Sequence, residues 1–286
     1  MKGKHSVSVL CEVLAVSRSG YYRWQERRPT KRERDDARLA DQIAAAHARS
    51  RKNYGAPRIV EELRAEHTPI SKRRCARLMK ERGLAGRKKS RRRPRTTDSR
   101  HAHAPAENLL AKQGAPTAAN QTWVTDITYI ETGEGWLYLA AILDVWSRRI
   151  VGWACGPTLH VSLVLAALQA ALRQRKPPPG LLHHSDRGVQ YACHDYATAL
   201  AAAGLVRSMS RRGNCYDNAA MESFWSTLKT ETGLDASVPI GRRAAELIVF
   251  DYIETFYNPT RRHSSLGYRS PVAFENQPTK NDIKAA

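Results

Sequence analysis

Residues 121–130, QTWVTDITYI, alternate along their length and are rich in β-branched and aromatic side chains, the pattern of a half-buried strand. They open a series of segments whose order restricts the fold more than any other feature of the chain. Gly133-Glu134-Gly135 makes a turn into WLYLAAILDVW, and Ser147-Arg148-Arg149 leads into IVGWAC, so three strands follow one another as a meander. Val161–Arg175 is Ala/Leu-rich and apolar nearly all round, which predicts a buried helix, broken by Pro177-Pro178-Pro179-Gly180. LLHHSD reads as a fourth strand, His194–Ala203 as a helix and LVRSMS as a short fifth strand. Asp217–Thr230 and Arg242–Tyr257 read as two further helices, followed by a turn-rich tail. The order βββαβαβα predicts a mixed α/β domain, a meander followed by crossover units.

The front of the chain has a different texture. Residues 1–119 carry 30 Lys/Arg against 12 Asp/Glu, a net +18, whereas residues 120–286 carry 17 against 15, a net +2. With a formal charge of +20 so unevenly placed, a cationic module precedes a nearly neutral one, and the expected partner is a polyanion. Residues 6–28 read as two short helices about a Ser-Arg-Ser-Gly turn that holds Gly20, with Val9, Leu10, Val13 and Leu14 as an apolar stripe. A helix-turn-helix and a plain helical hairpin fit that stretch equally. Asp35–Ser50 is helical, with Leu39 and Ile43 one turn apart; Pro57 starts a helix through Glu66, and Ser71 can cap another over Lys72–Arg82. That last helix sets Lys72, Arg73, Arg74, Arg77 and Lys80 against Cys75, Leu78 and Met79. A basic outer face over an apolar inner one suits a groove-binding recognition helix, and also a merely solvated amphipathic helix.

The run Arg87–Arg95, RKKSRRRPR, has nothing apolar to pack, so Arg91, Arg92 and Arg93 are expected to bind phosphates without reading sequence. The expected organisation is a helical DNA-binding region at 1–86, a basic linker at 87–119 and a catalytic domain at 120–286.

The five cysteines, Cys11, Cys75, Cys155, Cys193 and Cys215, form no C-x-x-C pair, which argues for a reducing compartment and against structural zinc. Polar Lys-Gly-Lys-His follows Met1, unlike a secretory signal, and the most apolar stretch, Leu137–Trp146, is short and broken by Asp144. No membrane partner is expected, and the expected location is cytoplasmic, associated with the nucleoid.

Three acids stand out. Asp126 lies inside a strand-forming run, where a charge costs both β-propensity and desolvation. Asp186 closes the fourth strand, at the carboxyl end where α/β sheets gather their active sites. Glu222 sits among apolar neighbours on the helix NAAMESFWSTLK. Singly, each has a bland reading: a polar group at a ladder edge, a turn former, a surface residue. If strands one and four are adjacent and parallel, however, Asp126 and Asp186 lie side by side and the helix can bring Glu222 over them. Three hard oxygen donors suit Mg²⁺ or Mn²⁺ and the chemistry of phosphodiester hydrolysis and transesterification.

Other groups carry weaker signals. Asp144 could help hold metal or pair with Arg148 or Arg149, and the structural role is favoured; Asp217 reads as a helix N-cap. His183 and His184 beside Asp186 could support a metal ligand or be buried and satisfied. The loop Ser210–Tyr216, with Arg211, Arg212 and Asn214, is basic and suited to gripping DNA near the cut.

The stretches Trp123-Val124-Thr125-Asp126-Ile127-Thr128-Tyr129, His184-Ser185-Asp186-Arg187-Gly188 and Asp217-Asn218-Ala219-Ala220-Met221-Glu222-Ser223-Phe224 occur in this order, with 35 residues between the second and third acids. In this they resemble the DDE transposases of bacterial insertion sequences, specifically the integrase-like insertion sequence family three, and more distantly the retroviral integrases. The closing Tyr257-Asn258, Arg261-Arg262-His263 and Leu266-Gly267-Tyr268 fit the same family.

The resemblance implies a ribonuclease-H-like catalytic domain behind all-α helix-turn-helix modules, with Asp126, Asp186 and Glu222 as catalytic metal ligands for Mg²⁺, replaceable by Mn²⁺. It implies that the basic residue seven positions after the glutamate, Lys229, contacts the transposon end; that spacing is about two helical turns, so Lys229 shares Glu222's face. It further implies metal-dependent cleavage at the element's terminal inverted repeats, transfer of the 3′-hydroxyl into target DNA, a homo-oligomer, and a fusion or partnership with the product of an upstream reading frame. The chain departs from retroviral integrases in lacking a His/Cys zinc module, and His101-x-His103 reads as linker. A non-catalytic DNA-binding regulator would need no acid triad, and a nuclease of RNA–DNA hybrids would not need two helix-turn-helix modules.

Overall fold

The computed structural model describes residues 6–26, 28–88, 106–211, 218–234 and 240–277. Its contacts divide the chain into two compact units between Gly86 and Arg87.

The first unit is helical: α1 (Val7–Val13), α2 (Arg18–Gln25), α3 (Lys31–Arg49), α4 (Ala56–Ala65) and α5 (Lys72–Glu81). Hydroxyl side chains start four of the five. Ser6, Ser17 and Ser71 each accept a backbone N–H of the first turn, and Thr30 with Glu33 forms a reciprocal capping box. Pro57 sits in the first turn of α4. Leu39 and Ile43 of α3, Ile59 and Leu63 of α4, and Cys75, Leu78 and Met79 of α5 are buried together with Tyr54. The chain leaving α5 returns onto the α3–α4 loop: a Cβ on Gly86 would stand 2.6 Å from the Gly55 nitrogen, so that approach requires glycine.

The hairpin at the front differs from expectation in two ways. Gly20 lies in the first turn of α2, donating its N–H to Ser17 Oγ at 3.0 Å; the positive φ of the turn falls on Ala15 instead. Val9, Val13 and Leu14 face solvent, and Cys11 is the residue α1 buries. Ser17 explains the first difference, because an N-cap there starts the helix three residues earlier than a turn at Gly20 would.

The second unit is built on a five-stranded mixed sheet in the order β3-β2-β1-β4-β5. Its strands are β1 (Thr122–Thr132), β2 (Gly135–Asp144), β3 (Ile150–Gly156), β4 (Leu182–Ser185) and β5 (Val206–Met209). The first three form the antiparallel meander, and β4 and β5 return parallel to β1. The crossovers are α6 (Val161–Arg175), and α7 (Val189–Ala192) with α8 (His194–Ala202). Helix α6 lies so close to β3 that a Cβ on Gly152 would meet the Ala167 carbonyl oxygen at 2.4 Å.

After β5 come α9 (Ala219–Thr232), α10 (Arg242–Phe250) and α11 (Pro271–Glu275). The single helix expected over Arg242–Tyr257 instead widens into a π-helical segment, Asp251–Tyr257. That wider turn buries Tyr252, Ile253, Phe256 and Tyr257 together and lets the Tyr252 hydroxyl donate to Glu231 on α9 at 2.9 Å. The same Glu231 takes both arms of Arg261 in a buried ion pair, 2.7 and 2.8 Å. Residues 106–119, read from sequence as linker, belong structurally to the sheet unit. The Leu109 N–H donates to Ser208 Oγ on β5 at 2.9 Å, and the Asn120 N–H to Asp144 at 2.7 Å. Among the described residues no helix is long and apolar enough to cross a membrane.

Candidate active site

The β1–β4 pairing sets the site. Thr122, Trp123 and Val124 pair with Leu182, His183 and His184, and the same register continued by two residues levels Asp126 with Asp186. Strand β4 stops at Ser185 whereas β1 runs on to Thr132, so β1 has an open edge from Thr125 onward. Asp186 is turned by its own loop: the Gly188 N–H donates to its Oδ1 at 2.9 Å. The neighbouring Arg187 donates to the Ser210 carbonyl at 2.8 Å, tying the loop after β4 to the chain leaving β5.

Helix α9 lies along that open edge and is fastened to it by side chains. Lys229 Nζ donates to the Tyr129 carbonyl at 2.7 Å, and Asn218 Nδ2 to the Thr125 carbonyl at 3.4 Å. Residues 125 and 129 have the same parity, so their carbonyls point from the same edge. Between them Trp225 Nε1 donates to Asp126 Oδ2 at 2.9 Å. Glu222, Trp225 and Lys229 are three and seven residues apart on α9, so they share one face of the helix.

Asp126 is half-buried, and its carboxyl is pushed up to about 7. Burial is the main cause, followed by the charge of Asp186; the indole of Trp225 and the Ile127 N–H oppose the shift, and the charge of Glu222 adds to it. Asp126 therefore lies within electrostatic reach of both other acids, with Asp186 half-buried and Glu222 exposed. Among the described residues no three His, Cys, Asp or Glu side chains are gathered into a ready-made coordination shell. As a donor set, three carboxylates are hard oxygen ligands of the kind a divalent cation such as Mg²⁺ takes.

Beneath the acids the packing is polar but closed. Thr125 Oγ1 donates to the Ala141 carbonyl at 2.9 Å and meets the Tyr191 hydroxyl at 3.2 Å. His184 Nδ1 meets Ser208 Oγ at 2.9 Å and His183 Nε2 the Tyr196 hydroxyl at 3.2 Å; burial pushes His183 down to about 3, so it is neutral. Both histidines serve the sheet interior. Asp144 is fully buried and accepts from the backbone of Asn120, Trp146 and Ser147, a loop-closing role.

The expected DNA contacts divide. On α5, Lys72 and Arg73 are exposed, but Arg74 and Arg77 are turned toward α3, donating to the two oxygens of Asp36 at 2.7 and 2.6 Å. Arg77 and Arg74 together hold the Asp36 carboxyl below the usual carboxylate range. Arg211 is exposed at the end of β5. Arg91, Arg92, Arg93, Arg212, Asn214 and the expected N-cap Asp217 lie outside the described residues. Lys229, expected on the transposon end, is half-buried against β1. Sequence reading missed Trp225, since an aromatic in the run ESFWSTL reads as core; its one signal is its position three residues after Glu222.

An integrase core domain family matches residues 116–215, which contain Asp126 and Asp186, and a second integrase core domain family matches 203–271, which contain Glu222 and Lys229. An HTH-like domain family matches residues 33–94, spanning α3 to α5. An uncharacterized 31 kDa protein of insertion element IS600 from Shigella sonnei is 48% identical, covering 94% of this chain and 98% of its own. Transposase InsF of insertion sequence IS3A from Escherichia coli K12 is 41% identical, covering 96% of both chains. Among solved structures, the HTLV-2 integrase catalytic core in complex with magnesium is 14% identical, covering 56% of this chain and 99% of that one with a TM-score of 0.44. This chain belongs to the IS3-family transposases, with an HTH-like domain ahead of an integrase core domain.

Proposed function

We propose that this transposase cuts the ends of its insertion sequence and transfers the freed 3′-hydroxyl into target DNA, with Asp126, Asp186 and Glu222 holding Mg²⁺ or Mn²⁺. The observation that carries the reading is the parallel β1–β4 register, which levels the two aspartates beside the helix bearing Glu222. A divalent ion bound by these acids supplies charge that activates an attacking oxygen and steadies the leaving one. The chain's own part is to place and orient. Gly188 fixes Asp186, Trp225 fixes Asp126, and Lys229 with Asn218 fixes the helix that carries Glu222. With Tyr191 and Thr125 closed beneath, water and DNA reach the acids from the side on which Glu222 is exposed.

DNA is held elsewhere by cations. Lys72 and Arg73 on α5, Arg211, and the basic run with Arg91, Arg92 and Arg93 supply phosphate contacts, and Arg212 and Asn214 extend the grip near the cut. Lys229 joins them at the transposon end by exchanging the Tyr129 carbonyl for a phosphate oxygen. The two element ends call for a homo-oligomer, working with the upstream reading frame product at the nucleoid.

The test uses a labelled duplex with a terminal repeat already ending in a 3′-hydroxyl, a supercoiled target plasmid and Mg²⁺, with the chain alone and fused to the upstream reading frame. Joined product that requires the repeat and disappears with chelator is expected. Cleavage of RNA–DNA hybrids without repeat preference would replace this reading with that of a hybrid nuclease, and repeat binding with no joining in either form would make the chain a regulator.

A further inference from the structure

Helix α9 does two things at once: it carries Glu222, and one turn on it reaches across to Asp126 through Trp225. Trp225 is nearly buried, packed on Phe224 with ring centroids 4.8 Å apart, so its ring is fixed before any ligand arrives. Its N–H takes one carboxylate oxygen, Oδ2, at 2.9 Å. A carboxylate that accepts such a bond loses rotational freedom about its last torsion and presents its other oxygen in a set direction.

We infer that Trp225 is a positioning residue for the metal site, orienting Asp126 from the helix that brings Glu222. This rests on the proposed reading of the three acids as metal ligands. The indole couples two ligands that come from elements far apart in sequence: a shift of α9 that moves Glu222 also pulls on Asp126. Groups that orient a metal ligand through a hydrogen bond are commonly worth 10–100-fold in metal affinity.

The bland alternative is that Trp225 is only a large core side chain. The structure separates the two, because α9 has two other fastenings to β1. Lys229 on the Tyr129 carbonyl and Asn218 on the Thr125 carbonyl flank the indole and stay in place when it loses its N–H. Loss of the N–H therefore releases Asp126 without undocking the helix.

The experiment is a Mn²⁺ titration of the full chain, free Mn²⁺ being read by electron paramagnetic resonance, with no DNA and no turnover. It compares the wild type with Trp225→Phe, with 3-benzothienylalanine incorporated at position 225 (the bicyclic shape with sulfur in place of N–H), and with Asp126→Asn. Both changes at 225 are expected to weaken Mn²⁺ about tenfold, and the benzothienyl form to keep the wild-type thermal midpoint. Mn²⁺ affinity within twofold of wild type in the benzothienyl form would overturn the inference, even if Trp225→Phe were too unstable to assay. If Asp126→Asn binds Mn²⁺ as tightly as wild type, the metal reading itself fails and the inference falls with it, an outcome distinct from failure at Trp225 alone.

Discussion

The helical unit and the sheet unit treat charge in opposite ways. In the helices, surplus cations are spread over exposed faces, and where two of them converge, Arg74 and Arg77, a carboxylate is placed between them. In the sheet unit three acids are brought together, two of them half-buried, and burial with the charge of Asp186 pushes Asp126 up to about 7. The first arrangement costs the fold little, because exposed charges are solvated. The second costs stability and persists because β1, β4 and α9 are held by other bonds. A surface of exposed cations can be stable by itself, while clustered, half-buried acids carry a cost that the rest of the fold must offset.

The largest test of this contrast lies in what holds the strained side together. Arg261 and Glu231 form a buried, doubly bonded pair that joins the tail to α9. Arg261→Ala leaves Glu231 charged and buried, which should cost about 3–5 kcal/mol, read as a fall in the chemical denaturation midpoint. A loss below about 1 kcal/mol would mean the pair is solvated rather than buried.

Next is the strain itself. With Asp126 held near 7 in the metal-free fold, the folded chain keeps a proton that the unfolded chain loses near pH 4. Stability from this group is complete below about pH 4 and is lost as pH rises through 7. Asp126→Asn is neutral throughout and can still accept from Trp225, so it should stabilise the metal-free protein at pH 8 by about 1–2 kcal/mol, less than the full shift because the group keeps some solvent. The gain should vanish at pH 4. A destabilised variant at pH 8 would contradict the cost that burial and the neighbouring acids put on a charged Asp126.

Smaller effects are expected on the helical side. Arg73→Ala should weaken DNA binding about equally for all sequences if Arg73 meets phosphate, lower the salt slope by about one, and move stability by less than about 0.5 kcal/mol. A loss confined to one base position would make it a base reader. Asp36→Asn should tighten binding slightly and steepen the salt dependence by freeing Arg74 and leaving Arg77 paired with Glu81 alone; weaker binding would mean that Asp36 holds those arginines in the pose DNA requires.

Much of this was legible in the sequence, for reasons that differ between residues. The strands, α6 and the capped helices follow from local pattern, because Ser71 or Val161–Arg175 states its structure within a few residues. The adjacency of Asp126 and Asp186 was conditional on topology, and the β1–β4 pairing meets that condition. What local pattern could not show depends on distant partners. The arginines of α5 look alike in sequence, yet Asp36, about forty positions away, claims two of them. Trp225 reads as core until Asp126, ninety-nine positions away, meets its N–H. The π-helical segment packs its tyrosines around Glu231, and residues 106–119 look like linker because their partners, such as the Ser208 hydroxyl on β5, lie far along the chain.

The central claim, that the strained acids are the transposition site, is tested most directly on a donor plasmid carrying the flanking DNA with its inverted repeats. Wild type and Glu222→Gln are compared in Mg²⁺, in the form of the protein found active for joining. The wild type should give 3′ nicks at the element ends and the variant none, with the two equally folded and equally bound to the ends. Equal nicking by both would contradict it, and would place the cutting chemistry on groups other than Glu222.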